Sequence, residues 1–144
     1  MSELKPSNPK DSVGATKLPL DLVPATAIAM ASLAHLDGAL KYGKWNWRDA
    51  GVRSSIYVAA ALRHIQKWNN GEEFDQDSGV HHLGHALACI NILVDSMAQG
   101  NLTDDRPPSI DVTAFMNALT GDVKRLNELH AGKNPKHYSI EDRK

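Results

Sequence analysis

The sequence predicts an all-α protein, an antiparallel bundle of about four main helices preceded by an extended N-terminal arm. Three observations carry that expectation. Apolar residues recur three and four positions apart in four separate stretches, each bounded by cap or stop residues. No stretch alternates as a half-buried strand does. The chain has 144 residues, 42% hydrophobic and 23% charged, the size and composition of one ordinary domain.

Taken in order, residues 1–23 carry Pro6, Pro9, Gly14 and Pro19 and are expected to be extended and irregular. A helical domain is expected over 24–130. Its first helix fits "PATAIAMASLAHLDGALKY", with Pro24 at the start, Gly43 as the stop, and Ile28, Ala31, Leu36, Ala39 and Leu40 on one stripe. The connector "GKWNWRDAGVR" follows. The second helix, "SSIYVAAALRHIQKWNN", is capped by serine and stops before Gly71; Ile56, Ala60, His64 or Ile65, and Trp68 form its inward stripe. After the acidic loop "GEEFDQDSG", a third helix runs from Ser78 as N-cap to Gly100, and it is the most apolar of the four. An amphipathic fourth helix spans about Ile110 to Leu129, with Val112, Phe115, Met116, Leu119, Val123 and Leu126 inward. Residues 131–144 are expected to be a flexible tail.

Composition excludes several functions. The formal net charge of −1 offers no global field for a nucleic acid polymer or a membrane surface. The single cysteine, Cys89, excludes an internal disulfide and a cysteine-rich zinc site. The first residues show no apolar core of signal-peptide type, and no segment reaches the length of a membrane span. A cytoplasmic location is therefore expected.

The chemistry concentrates in two places. His81, His82 and His85 open the third helix, and Asp95 lies near its end. At about 1.5 Å rise per residue, His85 and Asp95 are roughly 15 Å apart along the axis, too far to share one ion. His82 and His85 point to one face, as do His81 and His85, and either pair suits a transition metal. An up-down-up arrangement brings His64 level with them. The same arrangement puts Asp37, Lys41, Arg53 and Tyr57 near Asp95, where carboxylates suit a magnesium-type ion. Glu72, Glu73, Asp75 and Asp77 read as a solvated loop able to lend a ligand.

The connector interleaves Tyr42, Trp45 and Trp47 with Lys41, Lys44, Arg48 and Arg53. Aromatic faces stack on bases while basic groups meet phosphate oxygens, so this segment points to a nucleotide. Lys10 and Lys17 in the arm are placed to close over phosphates.

The ordered segments "NPKDSVGATKLPLDLVP", "GALKYGKWNWR", "VRSSIYVAAALRHIQKW", "GEEFDQDSGVHHLGHALACINILVD" and "LTDDRPP" resemble the phage dATP/dGTP diphosphohydrolase family over about Asn8 to Pro108. The resemblance implies cleavage of a purine deoxynucleoside triphosphate to dNMP and pyrophosphate, in the host cytoplasm if the chain is phage-encoded. More loosely it implies likeness to MazG-type all-α hydrolases, which use divalent metal on ExxE and ExxD pairs and assemble as oligomers. This chain has no inward ExxE; its best pair at that spacing is His82 and His85. On that basis the metal, Mg²⁺ or Mn²⁺ with Zn²⁺ as a further candidate, is assigned to some of His64, His82, His85 and Asp95. Asp37 and Glu73 are the candidate catalytic carboxylates. Lys41, Tyr42, Trp45, Trp47, Arg48, Arg53, Lys10 and Lys17 are the candidate substrate contacts, and a homo-oligomer is expected. Two other readings stay open: a nucleotide-binding protein without turnover that sequesters a signalling nucleotide, and a structural helical protein with merely satisfied histidines.

Overall fold

A computed structural model describes residues 8–142. The first seven residues of the expected arm and the last two of the expected tail lie outside that range. The protein is all-α, with one two-residue parallel strand pair. The helices are α1 (Pro9–Gly14), α2 (Ala25–Tyr42), α3 (Asn46–Ala50), α4 (Ser54–Asn69), α5 (His82–Gln99) and α6 (Val112–Leu129); the strands are β1 (Val52–Arg53) and β2 (Leu102–Thr103). The chain divides into two compact units, Met1–Asp104 and Asp105–Lys144.

In the first unit α5 packs against both α2 and α4. The reason for its central place is its seam of small residues. Gly84, Ala86 and Ala88 of α5 are buried, as are Ala31 and Ala34 of α2 and Ala61 of α4. A Cβ on Gly84 would lie 2.7 Å from the Met30 carbonyl oxygen, so α2 and α5 touch backbone to backbone there. The large apolar residues expected inward on α2, Ile28, Leu36 and Leu40, are exposed instead, and so is Ile56 on α4. Periodicity located the helices, but alanines and a glycine make the contacts.

The ends of the elements follow from local chemistry. Gly43 at φ 94° stops α2, and Gly100 at φ 83° stops α5, where its N–H donates to the Ser96 and Met97 carbonyls. The expected serine caps are displaced. Ser54 is the first residue of α4 and is buried, with Arg53 as N-cap. The N-cap of α5 is His81, whose Nδ1 accepts from the Leu83 N–H at 3.0 Å. The α3 connector is closed onto the exit of α5 by the Val52–Leu102 and Arg53–Thr103 pairing and by Asn101, whose side-chain amide donates to the carbonyls of Trp47 and Arg48.

The N-terminal segment contains a helical turn, because Asn8 accepts from the Lys10 N–H and Pro9 sets the first helical φ. In the second unit, Asp111 caps α6 by accepting from the Ala114 N–H. Within that unit, Lys136 pairs with Asp142 at 2.8 Å around a short 3-10 turn. No helix among the described residues is long and apolar enough to cross a membrane.

Candidate functional site

The last turns of α4, the loop 70–81 and the first turn of α5 converge on a cluster of imidazoles and carboxylates. The loop is folded tightly by its backbone. Glu72 N–H donates to the Lys67 carbonyl, Asp75 N–H to Val80, Gly79 N–H to Asp75 and His82 N–H to Glu73, while Phe74 and His81 pair as an antiparallel bridge. This closure turns the Asp75 carboxylate inward. Its Oδ2 accepts from both the N–H and the hydroxyl of Ser78, at 2.9 and 3.0 Å.

His85 Nε2 lies 2.7 Å from the same Ser78 hydroxyl. Because that hydroxyl donates to Asp75, the imidazole N–H is the donor and His85 keeps its other nitrogen as a lone pair. The His64 ring stacks on His85 with centroids 4.7 Å apart and planes at 15°. His64 Nδ1 and His82 Nδ1 are 2.9 Å apart. His82 is fully buried, and its Nε2 has no hydrogen-bond partner; the nearest carboxylate oxygen is Glu72 Oε2, at 3.6 Å.

The electrostatics keep the imidazoles of His64 and His85 available as ligands. Burial pushes the pKa of His64 down, and the imidazoles of His85 and His82 add to the effect. Burial likewise lowers that of His85, against the opposing pull of Asp75 and Asp37. Burial alone would raise the Asp75 pKa, but the two Ser78 hydrogen bonds outweigh it and hold Asp75 as a carboxylate.

The donors fit a metal ion. With bonds of about 2.1 Å, ligands at right angles stand about 3.0 Å apart and opposite ones about 4.2 Å. The two Nδ1 atoms are 2.9 Å apart, and His64, Asp75 and His82 each offer an atom within 4.8 Å of the others. Two imidazoles and one carboxylate suit manganese or zinc better than magnesium, which prefers oxygen ligands.

Other candidates fall around this cluster or away from it. Asp37 pairs with Lys41 at 3.0 Å, one turn apart on α2. Their charges act on His85, and Asp75 adds to the raised pKa of Lys41, first set by its hydrogen bond to Asp37. The sequence placed both beside Asp95; their electrostatic reach extends to the histidine cluster. Glu73 accepts from His81 Nε2 at 2.9 Å and so braces the loop. Tyr42 is exposed at the end of α2, near enough to Tyr57 to act on its ionisation.

Asp95 is held elsewhere. Arg48 grips it with two bonds, Nε to Oδ2 at 3.0 Å and Nη2 to Oδ1 at 2.9 Å, and Trp47 Nε1 donates to Oδ2 at 2.7 Å. Those bonds hold its carboxyl below the usual range. Trp45 lies against Trp47, tilted at 52° with centroids 5.1 Å apart, and the Arg48 guanidinium is 4.4 Å from the centroid of the Trp45 ring. Arg53 sits in β1 opposite Thr103, and Lys10 and Lys17 flank a shallow hollow formed by residues 10–21. Asp75 and Glu72 are the additions that sequence reading left in a solvated loop. The signal was present in "GEEFDQDSG", whose serine three positions after an aspartate favours a tight turn.

The family model described as dATP/dGTP diphosphohydrolase, N-terminal, matches residues 7–106. A protein of Salmonella phage PMBT28 named dATP/dGTP diphosphohydrolase is 26% identical over 90 residues, which are 62% of this chain and 30% of that protein. The chain thus matches less than a third of that relative's length. No solved structure matches.

Proposed function

The chain belongs to the dATP/dGTP diphosphohydrolase N-terminal family, and from that membership we propose that it is a metal-dependent diphosphohydrolase of purine deoxynucleoside triphosphates. The reaction takes up one water, breaks the bridge between the α- and β-phosphates, and releases dNMP and pyrophosphate. The observation that carries this reading is the donor set: His64 Nδ1 and His82 Nδ1 stand 2.9 Å apart, and His64, Asp75 and His82 each offer a ligand atom within 4.8 Å of the others.

His64, Asp75 and His82 would hold the ion, whose chemistry is to neutralise phosphate charge and lower the pKa of a bound water. The protein supplies the rest. Ser78 fixes both the Asp75 carboxylate and the His85 ring. Lys41, half exposed and within electrostatic reach of His85 and Asp75, meets the phosphate oxygens. Asp37, beside it, accepts the proton of the attacking water. Exposed Leu33 and Leu40, on one stripe of α2, support a homo-oligomer. A deoxynucleoside triphosphate substrate supports a cytoplasmic location, that of the host if the chain is phage-encoded.

The test is incubation with each dNTP and Mn²⁺, Zn²⁺ or Mg²⁺, with products separated by anion exchange. dNMP and pyrophosphate from dATP or dGTP are expected. Release of orthophosphate and dNDP, or no turnover with any pair, overturns the reading. A binding-only role is the second reading, favoured by the small number of carboxylates in the cluster compared with ExxE-type sites. Saturable dNTP binding without product would establish it.

A further inference from the structure

The two ring nitrogens of His82 meet different groups. Nδ1 stands 2.9 Å from His64 Nδ1, and His82 shares the donor set with His64 and Asp75. Nε2 is enclosed, has no hydrogen-bond partner, and lies 3.6 Å from Glu72 Oε2. A buried polar nitrogen left unpaired is costly, so the group beside it matters. The backbone places Glu72 there. Its N–H donates to the Lys67 carbonyl at 3.0 Å, at the end of α4. The carbonyl of the next residue, Glu73, accepts from the His82 N–H at 3.0 Å. One dipeptide therefore holds the His82 backbone and faces its ring.

We propose that Glu72 is a positioning residue: its carboxylate accepts from His82 Nε2–H, fixes the tautomer of the ring, and leaves Nδ1 as a lone pair for the ion. The inference rests on the metal-dependent reading above. A carboxylate oxygen accepts and does not donate, so Glu72 favours a proton on the nitrogen beside it. The opposite tautomer would set the Nε2 lone pair against the carboxylate in an enclosed place, which is costly. Closing 3.6 Å to a charge-assisted hydrogen bond of about 2.8 Å needs under about 1 Å of movement. Glu72 can make that movement, because its side chain is 30% exposed while the His82 ring is fully enclosed.

The His64 ring follows from the same choice. Two Nδ1 atoms at 2.9 Å share one proton, and with the His82 proton on Nε2 the shared one belongs to His64. The loop treats His85 in a parallel way, since the Ser78 hydroxyl, committed to Asp75, takes the His85 Nε2–H. Both histidines thus donate from Nε2 into the loop and keep Nδ1 free, and residues 72–78 set both. Outer carboxylates of this kind orient a metal-ligating imidazole and raise its basicity.

Tautomers are read from two-bond proton–nitrogen spectra of isotopically labelled histidine, in metal-stripped protein at about pH 8, above the ordinary histidine range. The expected state is Nε2–H for His82 and Nδ1–H for His64. Glu72→Ala should move His82 toward a mixture of tautomers and weaken Zn²⁺ about tenfold to a hundredfold in competition calorimetry. Glu72→Gln, whose amide oxygen still accepts, should keep the tautomer and weaken Zn²⁺ only about fivefold. That variant carries the test if the alanine one folds poorly. No Zn²⁺ binding by the wild-type protein overturns the metal reading and this proposal with it. Zn²⁺ bound by the wild type and equally well by both variants overturns the Glu72 assignment alone, as does an Nδ1–H tautomer of His82 in the wild type.

Discussion

Two polar clusters lie at different levels of α5, and they are built in opposite ways. Around His82, itself fully buried, the other groups are partly exposed, the imidazoles crowd one another, and one nitrogen lacks a partner. Around Asp95 every carboxylate oxygen is taken up, by a two-point Arg48 grip and the Trp47 indole. The first cluster has binding capacity left over; the second has used its capacity on itself. Asp95 therefore orders the connector and gives the tryptophans their places, while the histidines face an outside ligand.

The largest effect should come from setting His82→Ala against Asp95→Ala. The former should lower Mn²⁺ affinity and turnover by at least about a hundredfold, the latter by only a few-fold. Manganese calorimetry and pyrophosphate release measure both, and equal losses would erase the distinction drawn here. Gly84→Ala comes next, because Gly84 packs against the Met30 carbonyl where α2 and α5 touch. A methyl forced to 2.7 Å from a backbone oxygen should cost about 1–3 kcal/mol in denaturant unfolding. A neutral outcome would mean that the α2–α5 contact can open.

The metal-free protein should lose stability on acidification. Burial holds His35, His64 and His85 below their ordinary 6.5, so the unfolded chain binds more protons. Stability should thus be full above about pH 6.5 and fall as pH drops below it, in urea titrations at stepped pH. Asp95 behaves differently: its lowered pKa contributes only above the ordinary carboxyl range near 3.8 and is lost in more acid solution. Asp95→Asn should accordingly leave the slope near pH 6 unchanged. The smallest effect concerns Cys89, whose thiol burial pushes above its usual value. It should react with iodoacetamide more slowly than a free thiol at pH 8, and native mass spectrometry would follow it.

Much of this arrangement could be read from the sequence. Helical spacing and the glycines at 43 and 100 placed three long helices, and His64 was put level with His82 by counting turns. Other parts depended on information that spacing lacks. Which face of α2 meets α5 is decided by where backbones can touch, hence by Gly84, Ala31 and Ala34 rather than by the larger Ile28, Leu36 and Leu40. Asp75 enters the cluster through backbone bonds within the loop, and the pairing of Trp47 with Asp95 spans 48 positions. Neither leaves a period to detect.

The alanine seam carries a calorimetric consequence. Heat capacity rises on unfolding in proportion to the apolar surface newly wetted, ordinarily about 12–15 cal/mol/K per residue. Among the described residues the buried hydrophobic side chains are five alanines and Val52, while the large ones of α2 and α4 already face outward. For the isolated chain the increment per residue should fall below that range, giving a flat stability curve with little cold destabilisation. Contact between close backbones, more than removal of oily surface from water, holds these three helices together.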